Sequence, residues 1–133
     1  MEDFLKSENV NNFTELLLEN NCKIIVVACN TATTNAIKEL RASFDVPFIG
    51  IEPAIKPAAT QSKTQTIGIL ATKGTLSSEL FNKTVSLYQE TNIIEQIGYG
   101  LVELIENGEI NSPQMEKLLI SYLKPMIEKN IDY

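Results

Sequence analysis

Residues Lys23 to Thr34 read KIIVVACNTATT. The run from Ile24 to Ala28 is apolar or small and rich in β-branched residues. It stops at Cys29, after which Asn30, Thr31, Ala32 and Thr33 open a helical pattern. A short continuous apolar run suits a buried strand, and Asn or Thr at the turn can accept from the first free N–H groups of a helix. The stretch therefore predicts a strand feeding a helix, with the Cys29 thiol at the crevice between them.

Outward from that stretch the same alternation recurs. Phe13, Leu16 and Leu17 stand at helical spacing in residues 11–21, with Asn20 and Asn21 as the stop. Downstream, Ile37, Leu40 and Phe44 mark an amphipathic helix closed by Asp45 and Pro47, and Pro47 to Ile51 (PFIGI) reads as a second strand. Residues 52–65 form a connection in which Pro53 suits a first helical position and Pro57 would interrupt a helix running on from it. Thr66 to Thr72 (TIGILAT) is a third strand, followed by the polar turn Lys73-Gly74-Thr75 and one helical segment through Leu76, Leu80, Phe81 and Val85. Residues 93–97 are a short fourth strand. A short helix ends at Gly108, and a last helix starts at Ser112-Pro113 and carries Pro125 near its end. Strands separated by helical patterns are the signature of βαβ units, so the fold class is α/β with a parallel, doubly wound sheet.

Composition narrows the function classes. The chain has 133 residues, 44% hydrophobic and 21% charged, which is the balance of one globular domain. Its net charge is −6 and no two Lys or Arg residues are adjacent, so its field repels a phosphate backbone and argues against a nucleic-acid partner. The opening strand is far shorter than the roughly 20 residues of a membrane helix. The first residues (MEDFLKSENVNN) are acidic and polar, unlike a signal peptide, and a cytoplasmic protein is expected. Cys22 and Cys29 would lie roughly 20 Å apart along a strand, so free thiols are expected rather than a disulfide. The absence of histidine removes Ser-His-Asp and Cys-His catalysis, and no spacing of metal ligands is present.

Ligands of open α/β sheets bind beyond the carboxyl ends of the strands, where Cys29 to Thr31 and Thr72 to Thr75 both fall. A thiol at a helix N-terminus faces unpaired N–H groups that favour thiolate, and the same donors suit a carboxylate. One reading is an anionic small molecule held by Asn30, Thr31, Thr72 and Thr75, with Cys29 as base or nucleophile. The competing reading makes Cys29 a small buried apolar residue and the threonines helix caps. Cys22, in a polar turn, and Glu52 and Glu106, as solvated carboxylates, have ordinary structural explanations.

ACNTAT (Ala28 to Thr33), DVPFIGIEPAIKPA (Asp45 to Ala58), IGILATKGT (Ile67 to Thr75) and GLVELIENGE (Gly100 to Glu109) occur in that order, and together they resemble the glutamate racemases. The resemblance implies an isomerase that interconverts L- and D-glutamate for peptidoglycan synthesis without a cofactor. Two cysteines act on opposite faces of the substrate, one thiolate removing the α-proton and the other thiol returning one. It matches Cys29 to the first cysteine, Asn30 and Thr31 to residues binding the amino acid, Thr72 and Thr75 to the glutamate pocket, and Glu106 to a supporting acid.

It also implies a two-domain fold, with residues 1–52 as the second part of the N-terminal domain and residues 53–133 as the first part of the C-terminal domain. The family's Asp-Ser opening turn, its Pro-Tyr-Gly loop and the Gly-Cys-Thr-His motif of the second cysteine are missing. Cys22 cannot replace that cysteine, because it sits at the opposite end of the strand from Cys29. A central piece of the racemase is therefore expected, inactive alone and prone to self-association through uncovered apolar surface. The alternatives are a non-catalytic amino-acid or carboxylate-binding module, and a two-cysteine racemase for aspartate or another amino acid.

Overall fold

The computed structural model of the chain describes residues 7–133, with side chains from Asn9 onward. The reading of residues 1–6 as part of a polar, non-leader segment lies outside the described residues.

The first helix, α1 (Ser7–Glu19), begins before the stretch expected from sequence and ends as expected. Asn20 donates from its side chain to the Leu16 carbonyl at 2.8 Å, and Asn21 takes the left-handed turn at φ 60° that Asn tolerates. Its stripe Phe13, Leu16 and Leu17 is exposed, and Val10 and Leu18 instead pack on the core. Strand β1 (Ile25–Val27) is shorter than the run Ile24 to Ala28. It leads into α2 (Asn30–Ser43), and β2 (Phe48–Gly50) returns parallel to it, pairing Ile25 with Phe48, Val26 with Ile49 and Val27 with Gly50. Helix α2 covers one face of this pair through Ala36, Ile37 and Leu40 against Ile25 and Phe48.

The opposite face is open, which corrects the expectation of a strand buried on both sides. Val26 is 54% exposed and Ile49 50%, because no second layer covers them among the described residues.

After α3 (Ile55–Gln61) comes β3 (Thr66–Ala71), paired parallel with β4 (Asn92–Ile97) from Thr66↔Asn92 to Ala71↔Ile97. The strands thus form two separate parallel pairs, β1-β2 and β3-β4, rather than one continuous sheet. Pro57 does not break α3. The helix starts at Ile55, so Pro57 falls in the first turn, where its missing N–H has no intrahelical acceptor to lose.

The single helix expected after β3 is two, α4 (Lys73–Leu76) and α5 (Glu79–Val85). Ser78 divides them: its hydroxyl accepts from the Phe81 N–H at 3.2 Å and donates to the Thr75 carbonyl at 2.8 Å. Phe81, Leu76, Ile55 and Ile67 form the second core. Helix α6 (Leu101–Glu106) follows Gly100 in the left-handed region, and α7 (Pro113–Ile127) is capped by Ser112 and runs through Pro125. Its Met126 lies over Gly68 of β3, where a Cβ would come within 2.6 Å of the methionine methyl.

Candidate functional site

Both strand ends lead directly into helices, and contacts between α2 and α4 hold the two turns against each other. Residue Cys29 is the N-cap of α2, in extended conformation, and its carbonyl accepts the first helical bond from the Thr33 N–H at 2.8 Å. Its side chain makes no capping bond and is exposed, so the reading of Cys29 as a small buried residue is overturned. Cys22 is half-buried, and both thiols are free.

Asn30 is the first helical residue and is exposed. It does not cap α2, contrary to the expectation from its position in the turn. Thr31 does not cap it either. Its hydroxyl lies 2.7 Å from that of Thr72 and 2.9 Å from that of Thr75, and the latter two are 3.1 Å apart. Thr72 also caps α4 by accepting from the Thr75 N–H at 3.2 Å. The cap reading therefore holds for Thr72 alone, and three hydroxyls from two strand ends form a closed ring. Hydroxyl protons rotate, so such a ring can turn a donor toward an anion without moving the chain.

Two residues of this arrangement escaped the sequence reading. Asn35 donates from its amide to the Thr31 carbonyl at 2.8 Å and to the Gly74 carbonyl at 3.2 Å, tying the first turns of α2 and α4 together. Gly74 itself permits the approach, since a Cβ there would sit 2.9 Å from the Thr31 methyl. The signal available in sequence was only an Asn one helical turn after Thr31 and a Gly inside a helix start. Neither names its partner.

Glu106 is exposed at the end of α6, which packs on α7, and no hydrogen bond links it to the hydroxyl ring among the described residues. Glu52 is likewise exposed. Among the described residues no group of three or more His, Cys, Asp or Glu is gathered as a metal would require, and no helix is long and apolar enough to cross a membrane. An open groove of about 340 Å³ runs from Asn30 past Ile55 and along β3 to Tyr133. It gives the strand-end edge a concave approach.

Parallel βαβ pairs with a thiol and a hydroxyl ring at their carboxyl ends define a class that the sequence model of the Asp/Glu/Hydantoin racemase family matches over residues 6–133, and the chain belongs to that family. Within it, the similarity is to glutamate racemases. The enzyme of Ralstonia pickettii is 45% identical over 119 residues, covering 89% of this chain and 42% of that protein. The enzyme of Pseudomonas entomophila is 37% identical over 132 residues, covering 98% and 49%. The crystal structure of Escherichia coli glutamate racemase with L-glutamate and the activator UDP-MurNAc-Ala superposes with a TM-score of 0.79 at 32% identity, covering 94% of this chain and 47% of that one. The chain spans about half the length of the curated relatives it matches.

Proposed function

We propose that this chain carries one proton-transfer half of a glutamate racemase: Cys29 is one of two thiols that interconvert L- and D-glutamate without a cofactor. The observation that carries the reading is the exposed Cys29 at the α2 N-terminus, one residue from the Asn30 rim of the groove and two from the Thr31–Thr72–Thr75 ring. In this reading Asn30, Thr31, Thr72 and Thr75 hold the amino acid's polar groups, with Glu106 as a supporting acid. The Cys29 thiolate takes the α-proton, and a thiol on the far side returns one, because a base that gives back its own proton restores the starting configuration. Cys22 is not that second thiol, since it lies before β1 while Cys29 lies after it. The chain alone is therefore inactive as a racemase.

The domain boundary falls near Glu52, with residues 1–52 belonging to one racemase domain and residues 53–133 to the other. The two strand pairs on either side of it support that division. Free thiols fit a cytoplasmic setting, and a role in peptidoglycan synthesis follows the similarity to a racemase solved with the activator UDP-MurNAc-Ala. A homo-oligomer is proposed from the open apolar face of β1 and β2.

The test is incubation of L-glutamate with the chain in deuterium oxide. No D-glutamate should form, while α-deuterium enters L-glutamate in a manner lost in Cys29→Ala. Formation of D-glutamate by the chain alone overturns the half-site reading, and exchange that survives Cys29→Ala removes Cys29 from the chemistry. Glutamate binding in calorimetry without any exchange favours the second reading, a carboxylate-binding module, which the hydroxyl ring by itself would serve.

A further inference from the structure

Helix α4 stops after Leu76, which leaves one of its carbonyls without a helical partner. A helix continuing further would bring the Ser78 N–H to the Gly74 carbonyl, but that N–H turns to Thr75 at 3.2 Å, while the Ser77 N–H takes Lys73 at 2.9 Å. The Gly74 carbonyl instead receives the Asn35 amide of α2 at 3.2 Å, and the same amide donates to the Thr31 carbonyl at 2.8 Å. Both partners are carbonyls, so only the NH2 end of Asn35 can serve them.

This bridge spans the joint on which the hydroxyl ring is built. Thr31 comes from the turn after β1, and Thr72 and Thr75 come from the turn after β3. Their hydroxyl separations of 2.7 and 2.9 Å therefore depend on how closely α2 and α4 approach. Gly74 lets the helices close, and Asn35 keeps them closed. A Cβ at Gly74 would stand 2.9 Å from the Thr31 methyl. The methyl and hydroxyl of Thr31 share one Cβ, so turning the methyl away would also turn the hydroxyl out of the ring.

We propose that Asn35 is a positioning residue for the strand-end site: its bridge to Gly74 sets the spacing of Thr31 against Thr72 and Thr75, and through it the hold of the hydroxyl ring on an amino-acid carboxylate. The amide is exposed and water can replace its bonds, so it adds little to stability. What it adds is a fixed spacing, and groups held in place by supporting hydrogen bonds bind a ligand without first having to be ordered. Cys29 is set by a different contact, the Thr33 N–H on its carbonyl at 2.8 Å, so proton transfer stands outside the effect. The consequence for glutamate rests on the racemase reading above; the spacing itself does not.

The experiment uses the full chain with Asn35→Ala, Asn35→Ser and Lys38→Ala. It reads calorimetric L-glutamate binding, Cys29-dependent α-deuterium exchange at saturating glutamate, and threonine methyl NMR. A serine hydroxyl within a helix bonds to the carbonyl four residues back, so Asn35→Ser keeps a bond to Thr31 and loses the one to Gly74. Both Asn35 variants should raise Kd by roughly two- to tenfold, the worth of one net hydrogen bond, with the saturated exchange rate unchanged. The γ-methyl signals of Thr31, Thr72 and Thr75 should move, and that of Thr60 in α3 should not. Lys38→Ala removes an exposed 3.3 Å ion pair from α2 to Glu79 and should leave Kd and the methyl signals in place. An unchanged Kd in either Asn35 variant, or an equal rise in Lys38→Ala, overturns the proposal. So does a saturated exchange rate that falls along with affinity. If the unmodified chain binds no glutamate, the racemase reading fails and the methyl signals decide alone: movement confined to the three ring threonines upholds the positioning role, and signals unmoved in Asn35→Ala overturn it.

Discussion

Thr33 is fully buried, and its hydroxyl donates to the Val27 carbonyl at 3.0 Å while accepting from the Ile51 N–H at 3.2 Å. It thereby joins the end of β1, the start of α2 and the end of β2 at the turn that carries Cys29. The Ile51 N–H also reaches the Val27 carbonyl directly at 3.2 Å, so removing the hydroxyl orphans neither group. Thr33→Val should cost about 1 kcal/mol, the net worth of an ordinary hydrogen bond, read from urea unfolding. Gly50→Ala should cost more, about 1–3 kcal/mol, because its Cβ would meet the Thr33 methyl at 2.5 Å inside a packed core.

At Asp132 the Ser62 hydroxyl, working against desolvation and joined by the Lys63 and Thr64 backbone N–H groups and the Thr64 hydroxyl, holds the carboxyl down to about 2. A depressed folded pKa gives stabilisation that is present above the unfolded value near 4 and is lost as pH falls through about 2. The Gly68 N–H donates to the carbonyl of the adjacent Tyr133 at 2.7 Å, so its protection, corrected for intrinsic exchange, should accordingly hold between pH 7 and 4 and fall toward pH 2. A loss complete by pH 4 would contradict the assignment. None of these partnerships is legible in sequence, since Thr33 with Ile51 and Asp132 with Ser62 are tertiary meetings of residues that look like ordinary polar positions.

Among the elements, the strand-to-helix units were the most legible. Runs such as TIGILA are short, apolar and bounded by polar turns, and both pairs are parallel as that pattern implies. Periodicity read less well where local polar groups competed with it. The apolar positions Leu76, Leu80 and Phe81 continue in helical phase through Ser77 and Ser78, yet the buried Ser78 hydroxyl takes the Phe81 N–H and starts a new helix. Ser78→Ala should destabilise by about 1–2 kcal/mol in urea unfolding, as the loss of an N-cap does. Ser77→Ala, at an exposed position, should stay near zero. Equal effects at the two serines would remove Ser78 as the cap. Helix α1 shows the other limit: helical spacing predicts a helix but leaves open which stripe turns inward, and Thr14 rather than Phe13 is the buried one.

For the whole molecule, the open face of β1 and β2 is the feature with the widest consequence. Val26 and Ile49 are register partners on that face, flanked by the exposed Ile24 and Ile51, which makes a contiguous apolar surface on a two-stranded sheet. Sedimentation at micromolar concentration should show self-association, and Val26→Lys with Ile49→Lys should return a monomer by placing charge on the covered surface. A compact monomer from the unmodified chain would sink that expectation. Sequence by itself determined the strand-helix order, the family resemblance and the placement of Cys29 at a strand end. These follow from local periodicity, turn chemistry and motif spacing, which act over a few residues. Tertiary structure alone decided that the four strands divide into two pairs, that Thr31 meets Thr72 and Thr75, that Cys29 is exposed, and that Asp132 meets Ser62 and Thr64. The physical reason is that burial and hydrogen-bond satisfaction are settled between segments tens of residues apart, where a residue's own neighbours in the chain carry no information about its partners.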